Sequence, residues 1–417
     1  MIAPADLDAL YRAHAPAITA SLARVFGARR LDLIEAGVQE AFVAAIEQWR
    51  DPIAVPAEPG AWLRTVARRK VVDALRRAAW FAPHGDRDLD ALEAPPPGDA
   101  HGDDALLGMM FVCCHPALPV ESAVALALRT LCGFPIPALC RALYADEAAI
   151  EKRLARARQT LREEAVDLDL DTRAQAPIDL EAREHAVLRT LYVLFLEGYS
   201  VHAGAQQIDV DLCRAAIRLS ELLVTRRPTP RAHALHALLL LQALRLAART
   251  DAAGDLVPLD RQDRAVWDRG LIARGLEHLA AAASGDVLSP FHLEAGIAAA
   301  HALAATYVET PWRTIVGLYD QLLALAPSPV VAMQRAIAIG RADGPQAGLR
   351  ALALVAGNGR LDDDPVLAAA IGQLESARGD VRSARTAYRR ALELAGTEPE
   401  RRFLADRLAA LEPERLR

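Results

Sequence analysis

Apolar residues recur at helical spacing in the long segments of this chain, and the elements they predict are helices throughout its first part. Asp6 to Phe26 and Leu31 to Trp49 both read as amphipathic helices, the second carrying Val38, Phe42, Ala45 and Trp49 on one stripe. A loop, RDPIAVPAEPG, leads into AWLRTVARRKVVDALRRAAWF. There Trp62, Leu63, Val66, Val71 and Leu75 line one face, while Arg64, Arg68, Arg69, Arg76 and Arg77 point elsewhere. Further on, Ile136 to Leu143 and Asp146 to Arg162 form two helical stretches joined by Tyr144 and Ala145, a junction length that fits a helix-turn-helix. Asp146 is placed to cap the second of them. Behind it Ile150, Leu154, Ala157 and Leu161 face a core, leaving Ala148, Ala149, Glu151, Lys152, Arg153 and Arg156 exposed. Short side chains at a helix start let it approach a groove, and basic ones after them hold phosphates.

Composition extends the helical reading to the whole chain. Of 417 residues, 53% are hydrophobic but only 5% aromatic, and Ala and Leu dominate, so an all-α protein with enough apolar surface for several cores follows. Five cysteines, two of them adjacent at 113 and 114, do not form a disulfide framework. The opening MIAPADLDALYRAHAP lacks the basic and apolar parts of a signal peptide, and no run has the length of a membrane span. A cytoplasmic location is expected, with no membrane contact.

Charge changes the picture locally. The net value of −6 argues against a chain that coats nucleic acid, yet Pro59 to Phe81 holds six basic residues, Lys70 included, against the single acid Asp73. Ala82 to Asp104 then holds seven acids against Arg87, with three consecutive prolines and three glycines, which makes it a linker. A weaker break at 167 to 177 precedes the rest. The expected division is therefore 1 to 81, a linker at 82 to 104, 105 to 166, and 178 to 417. Near the end, Ala377 to Leu394 contains a Gly-Asp turn followed by Ala384, Tyr388 and Ala391 at helical spacing, and a degenerate copy carries Tyr319, Leu323 and Pro327. This is the knob-and-hole pattern of helical repeats, which must stack because no hairpin buries its own face.

Taken together, a helix with Val38-Gln39-Glu40-Ala41-Phe42, the basic helix, an acidic linker and a helix-turn-helix ending KRLARARQTLR resemble a sigma factor of the sigma-70 family. The similarity is to the extracytoplasmic-function class, which keeps only the two essential regions. Segments at 187 to 200, 260 to 272, 318 to 339 and 377 to 395, together with FVCCHPAL at 111 to 118, resemble the subgroup with a C-terminal tetratricopeptide-like extension.

The resemblance implies a set of roles. Glu35, Gln39, Glu40 and Phe42 lie where the family docks on the clamp of core RNA polymerase, whose β and β′ subunits are the implied partners. Where the family usually has an acid three residues before the Gln, this chain has Ala36, with Glu35 beside it. The loop Asp51 to Pro59 and the helix bearing Trp62, Arg64, Arg68, Arg69, Lys70, Arg76 and Arg77 correspond to the reader of the minus-ten promoter element. Trp62 either stacks on a base or fills the core. Asp146, Glu147, Ala148, Ala149, Glu151, Lys152, Arg153 and Arg156 would meet promoter DNA at the minus-thirty-five element. The linker either threads the polymerase's RNA path or is a solvated tether. The extension is expected to regulate, through contact with the two sigma modules or the polymerase.

Other readings compete. Cys113, Cys114, His115 and His101 suggest a metal or thiol site, but adjacent cysteines lack the spacing of a metal pair, and a buried thiol pair is the plainer reading. Glu197-Gly198-Tyr199 and Trp267-Asp268-Arg269 suit a pocket lining or simple capping and packing. No nucleotide-binding glycine loop, HExxH or Gly-x-Ser-x-Gly occurs, so no enzyme and no cofactor is expected. A protein-binding repeat scaffold with vestigial N-terminal helices is the alternative from another class, and a conventional repressor a third.

Overall fold

The computed structural model describes residues 4–49, 55–81, 102–143, 145–163, 177–199, 208–251, 253–356 and 361–411. Among them every regular element is a helix, with one isolated bridge between Thr250 and Leu256. Packing divides the chain into two units, 1–193 and 194–417. That division falls inside a single helix, Pro177–Tyr199, rather than at the break expected around 167 to 177, most of which lies outside the described residues.

The first unit holds α1 (Pro4–Phe26), a 3-10 turn (Ala28–Arg30), α2 (Leu31–Gln48), α3 (Pro59–Phe81), α4 (Gly102–Cys113), α5 (Val120–Cys132), α6 (Ile136–Ala142), α7 (Glu147–Glu163) and the first part of α8 (Pro177–Tyr199). Gly102 to Asp104, expected in the linker, are the first turn of α4; residues 82–101 lie outside the described residues. α2 and α3 lie against each other through Ile34, Val38, Ala41, Leu63, Ala67 and Val71, all buried. Gly37 permits the approach, since a Cβ there would stand 2.6 Å from Val71 Cγ2 and 3.2 Å from the Ala67 carbonyl oxygen. Burying one side chain the size of Leu63 contributes about 1.5–3 kcal/mol, so this seam alone fixes the pair. Ala105 to Cys113 of α4 and Ser122 to Leu128 of α5 are buried on every side, as befits stretches that are almost wholly apolar, and α1 packs on both helices.

The second unit continues with α9 (Val210–Arg226), α10 (Pro230–Ala243), α11 (Arg269–Ala282), α12 (Pro290–Leu303), α13 (Trp312–Leu325), α14 (Pro329–Ala342), α15 (Pro345–Ala356), α16 (Pro365–Arg378), α17 (Val381–Leu394) and α18 (Glu398–Ala409). Each helix packs on the next, and α12 packs more extensively on α10 than on its neighbour α11. Several begin on proline, where its missing N–H costs nothing, behind a capping residue such as Thr229 or Asp364. Between α16 and α17, Gly379 takes the left-handed φ of 87° and Asp380 accepts from Ser383 N at 3.0 Å, so the Gly-Asp turn sits where the sequence put it. Ala384, Tyr388 and Ala391 are buried. In the earlier copy Leu322 is the buried residue and Leu323 only half-buried, because the helix runs one position out of phase with the repeat pattern.

Three imidazoles meet between α10 and α11. His236, fully buried, pairs its Nδ1 with Ser220 Oγ at 2.7 Å, and its ring meets that of His278 edge-on at 4.5 Å; His233 Nδ1 lies 2.9 Å from His278 Nδ1. Burial, then the nearby His278, Arg274 and His233, push the His236 pKa down to about 3. Burial likewise lowers His233 and His278. The unfolded chain takes up a proton near pH 6.5 that the folded one refuses, so this contribution to stability is complete above that pH and falls on acidification. Melting between pH 7 and 5.5 is expected to show the native chain losing up to about 1.4 kcal/mol per pH unit at His236, with a flatter dependence in His236→Gln. Equal slopes would contradict the assignment.

Candidate functional site

α3 presents its arginines to a groove of about 780 Å³ against α1, lined by Arg64, Arg68, Arg69 and Arg76 from one side and Ser21, Leu22 and Val25 from the other. Arg69 and Arg76 are exposed, Arg64 and Arg68 half-buried, and Asp73 is the acid in that lining. A cleft with one dominant charge and an apolar wall suits a polyanion backbone with bases laid against it. Three expected residues stand apart from the groove's chemistry. Trp62 packs on Trp49 with ring centroids 4.9 Å apart and the planes tilted by 54°, which makes it part of the α2–α3 seam. Lys70 pairs with Glu40 of α2 at 3.1 Å, so one residue assigned to DNA and one assigned to polymerase hold each other. Arg77 folds back to donate to the Asp73 carbonyl at 3.4 Å. Residues 51–54 of the preceding loop lie outside the described residues.

α6 and α7 follow one another and pack together. Asp146 Oδ1 accepts from Ala149 N at 2.7 Å, the cap expected from the sequence, and Ile150, Leu154, Ala157 and Leu161 are buried. Glu147, Ala148, Glu151, Lys152 and Arg156 are exposed, with Ala149 and Arg153 half-exposed beside them. The face that would enter a groove is thus open, short at its start and basic after it. Asp146→Ala is expected to cost about 1 kcal/mol, read as fraying at the start of α7 by hydrogen exchange. Unchanged protection there would show that the cap contributes nothing.

On α2, Gln39 and Glu40 are exposed as expected. Phe42 is not: it is buried, and its ring meets that of Tyr11 in α1 at 4.9 Å. It holds α2 in place rather than offering a docking contact, because its position on the helix falls in the same stripe as Val38 and Ala45. Glu35 is also engaged. Its Oε1 accepts from Thr130 Oγ1 of α5 at 2.9 Å and its Oε2 from Arg158 Nη2 of α7 at 2.8 Å. Arg158 Nε also lies 3.2 Å from Asp32 Oδ1, and Arg162 pairs with Asp32. Sequence reasoning missed Asp32, Thr130, Arg158 and Arg162. The signal was present as acids three apart on one helix and arginines four apart on another, but nothing local says that the two faces meet.

The residues behind the competing readings have structural employment. Cys113 and Cys114 are fully buried, and burial raises the Cys114 thiol to about 12 and that of Cys113 well above its usual value. Such thiols stay protonated and unreactive. His115 Nδ1 accepts from Ala117 N at 3.2 Å in the turn after α4. His101 lies outside the described residues. Gly198 lets α8 cross the start of α9, since a Cβ would stand 2.7 Å from the Asp209 carbonyl oxygen. Asp268 caps α11, and Trp267 lies buried under the Arg264 guanidinium, 4.7 Å from its ring centroid. Among the described residues no group of three His, Cys, Asp or Glu side chains is placed to hold a metal, and no helix is long and apolar enough to cross a membrane.

Comparison with known proteins bears on two stretches of the chain. Residues 10–81, which comprise most of α1 and all of α2 and α3, match sigma-70 region 2. Residues 183–283 match a family of unknown function, DUF6596. The chain is 38% identical over 407 residues to the uncharacterized protein R00370 of Rhizobium meliloti (strain 1021), covering 95% of this chain and 94% of that protein. No solved structure matches.

Proposed function

We propose that this chain, which belongs to the same family as the Rhizobium meliloti protein R00370 and carries a sigma-70 region 2, is a non-enzymatic RNA polymerase sigma factor of the extracytoplasmic-function kind. The observation that carries the reading is the arginine-lined groove of α3, which lies inside the stretch that matches region 2. In this account Arg64, Arg68, Arg69 and Arg76 track the phosphates of the melted minus-ten strand. Extruding a base costs a few kcal/mol, which contacts to the single strand offset. The exposed start of α7, from Asp146 to Arg156, enters the major groove at the minus-thirty-five element. Gln39 and Glu40 meet the polymerase clamp, and Glu35 joins them once its own partners release it. The helical row of the second unit acts as a tetratricopeptide-like regulator in the cytoplasm.

Support for the two-module reading is that the open face of α7 and the groove of α3 lie on different helices, one after and one before residues 82–101, within a unit in which α1 also packs on α4 and α5. Gel filtration of the purified chain with core RNA polymerase tests the proposal. Co-elution at one chain per core is the expected result. Failure to co-elute at micromolar concentrations, with the chain folded by circular dichroism, removes the reading and leaves a repeat scaffold.

A further inference from the structure

We infer that the first unit is latched in a self-inhibited state, in which the helix-turn-helix module covers part of the surface that α2 needs for polymerase. This inference rests on the sigma-factor reading and adds a regulatory step to it. The latch consists of the two acids of α2 and their three partners from the other module. Both carboxylate oxygens of Glu35 are taken, one by Thr130 and one by Arg158, and Asp32 is shared between Arg158 and Arg162. The Glu35 and Arg158 side chains are only 19% and 21% exposed, so solvent screens this pair less than a free surface pair. An apolar contact backs it: Gly133, left-handed at the end of α5, sits so close to the Tyr11 ring that an added Cβ would stand 3.1 Å from it, and the Tyr11 ring also meets that of Phe42.

The arrangement is selective about what it hides. Arg158 and Arg162 lie on α7 beyond the segment assigned to DNA, and the groove-facing residues Glu151, Lys152 and Arg156 stay exposed. What is covered is the acidic edge of α2 next to Gln39. A latch that leaves the DNA face open but holds Glu35, beside the exposed Gln39 and Glu40, hinders assembly rather than DNA contact. Opening is feasible within the chain, because residues 82–101 supply up to about 70 Å of reach when extended. Two of the three partners, Arg158 and Arg162, are ionic, so a competing charged surface on the polymerase can displace them one at a time.

The test uses the full chain with donor and acceptor dyes on unnatural amino acids at the exposed positions Glu47 of α2 and Gln159 of α7. Three samples are compared: the native chain, Arg158→Glu with Arg162→Glu, and that variant with Asp32→Arg added to restore opposite charges. The double variant is expected to lose energy transfer and to bind core polymerase about tenfold more tightly, and the added Asp32→Arg to recover much of the transfer. Energy transfer in the native chain at about 0.5 M salt gives a second measure that does not depend on variant folding, and it should fall as well. Unchanged transfer in the double variant overturns the latch. Lost transfer with unchanged or weaker core binding overturns inhibition. If neither chain binds core polymerase while transfer still changes, the sigma reading fails and inhibition falls with it, whereas the contact itself stands.

Discussion

Changing Arg64, Arg68, Arg69 and Arg76 together to alanine is expected to reduce promoter-directed transcription at least about a hundredfold while leaving the helical content intact. The effect is electrostatic. These four guanidinium groups line one groove, and each phosphate neutralised on a single strand releases a counterion, giving a salt slope of about −0.7 per contact. Removing four contacts should therefore flatten the slope of binding against salt by about 3. Arg69→Ala and Arg76→Ala, both exposed, isolate the effect from packing. Arg77→Ala should do least, since that side chain already donates to its own helix. A salt slope unchanged in the fourfold variant would show that the groove does not hold the strand.

The second large effect is on stability. Arg264 is buried and donates to the carbonyls of His301 at 2.8 Å and Ala304 at 2.5 Å, and to Thr310 Oγ1 at 3.2 Å, while stacking on Trp267. It closes the end of α12, where carbonyls have no partner within the helix. Burial lowers its pKa, but an arginine keeps its charge at neutral pH. Arg264→Leu strands those acceptors, and hydrogen bonds from a charged donor contribute about 1.5–3 kcal/mol each. A net loss of about 3 kcal/mol, or roughly 10 °C in melting temperature, is expected. A change under about 1 kcal/mol would mean that the acceptors find other donors.

Much of this was legible in the chain because helical periodicity is a local property. The stripe of Leu63 and Val71, the Asp146 cap and the Gly-Asp turn before Val381 were all readable from residues within one or two turns. The charge asymmetry of α3 was readable too, and the structure turns it into a groove. Burial around a residue was harder to read. Phe42 was assigned to a surface from its family position, although its place in the apolar stripe already pointed inward. The pairing of Lys70 with Glu40, and of Arg158 and Arg162 with Asp32 and Glu35, depends on which helix faces meet after folding, and no local pattern carries that. Trp267-Asp268-Arg269 read as fit for a pocket lining or for capping and packing, and Trp267 lies under Arg264, whose guanidinium is consumed by the end of a helix far along the chain, which no local pattern announces.

The most direct test of the central claim is transcription in vitro with core RNA polymerase on a pool of upstream sequences. The account predicts discrete start sites that appear only when the chain is added and vanish with the fourfold arginine variant of α3. Start sites no different from those of core polymerase alone, with a folded chain present in excess, would contradict it.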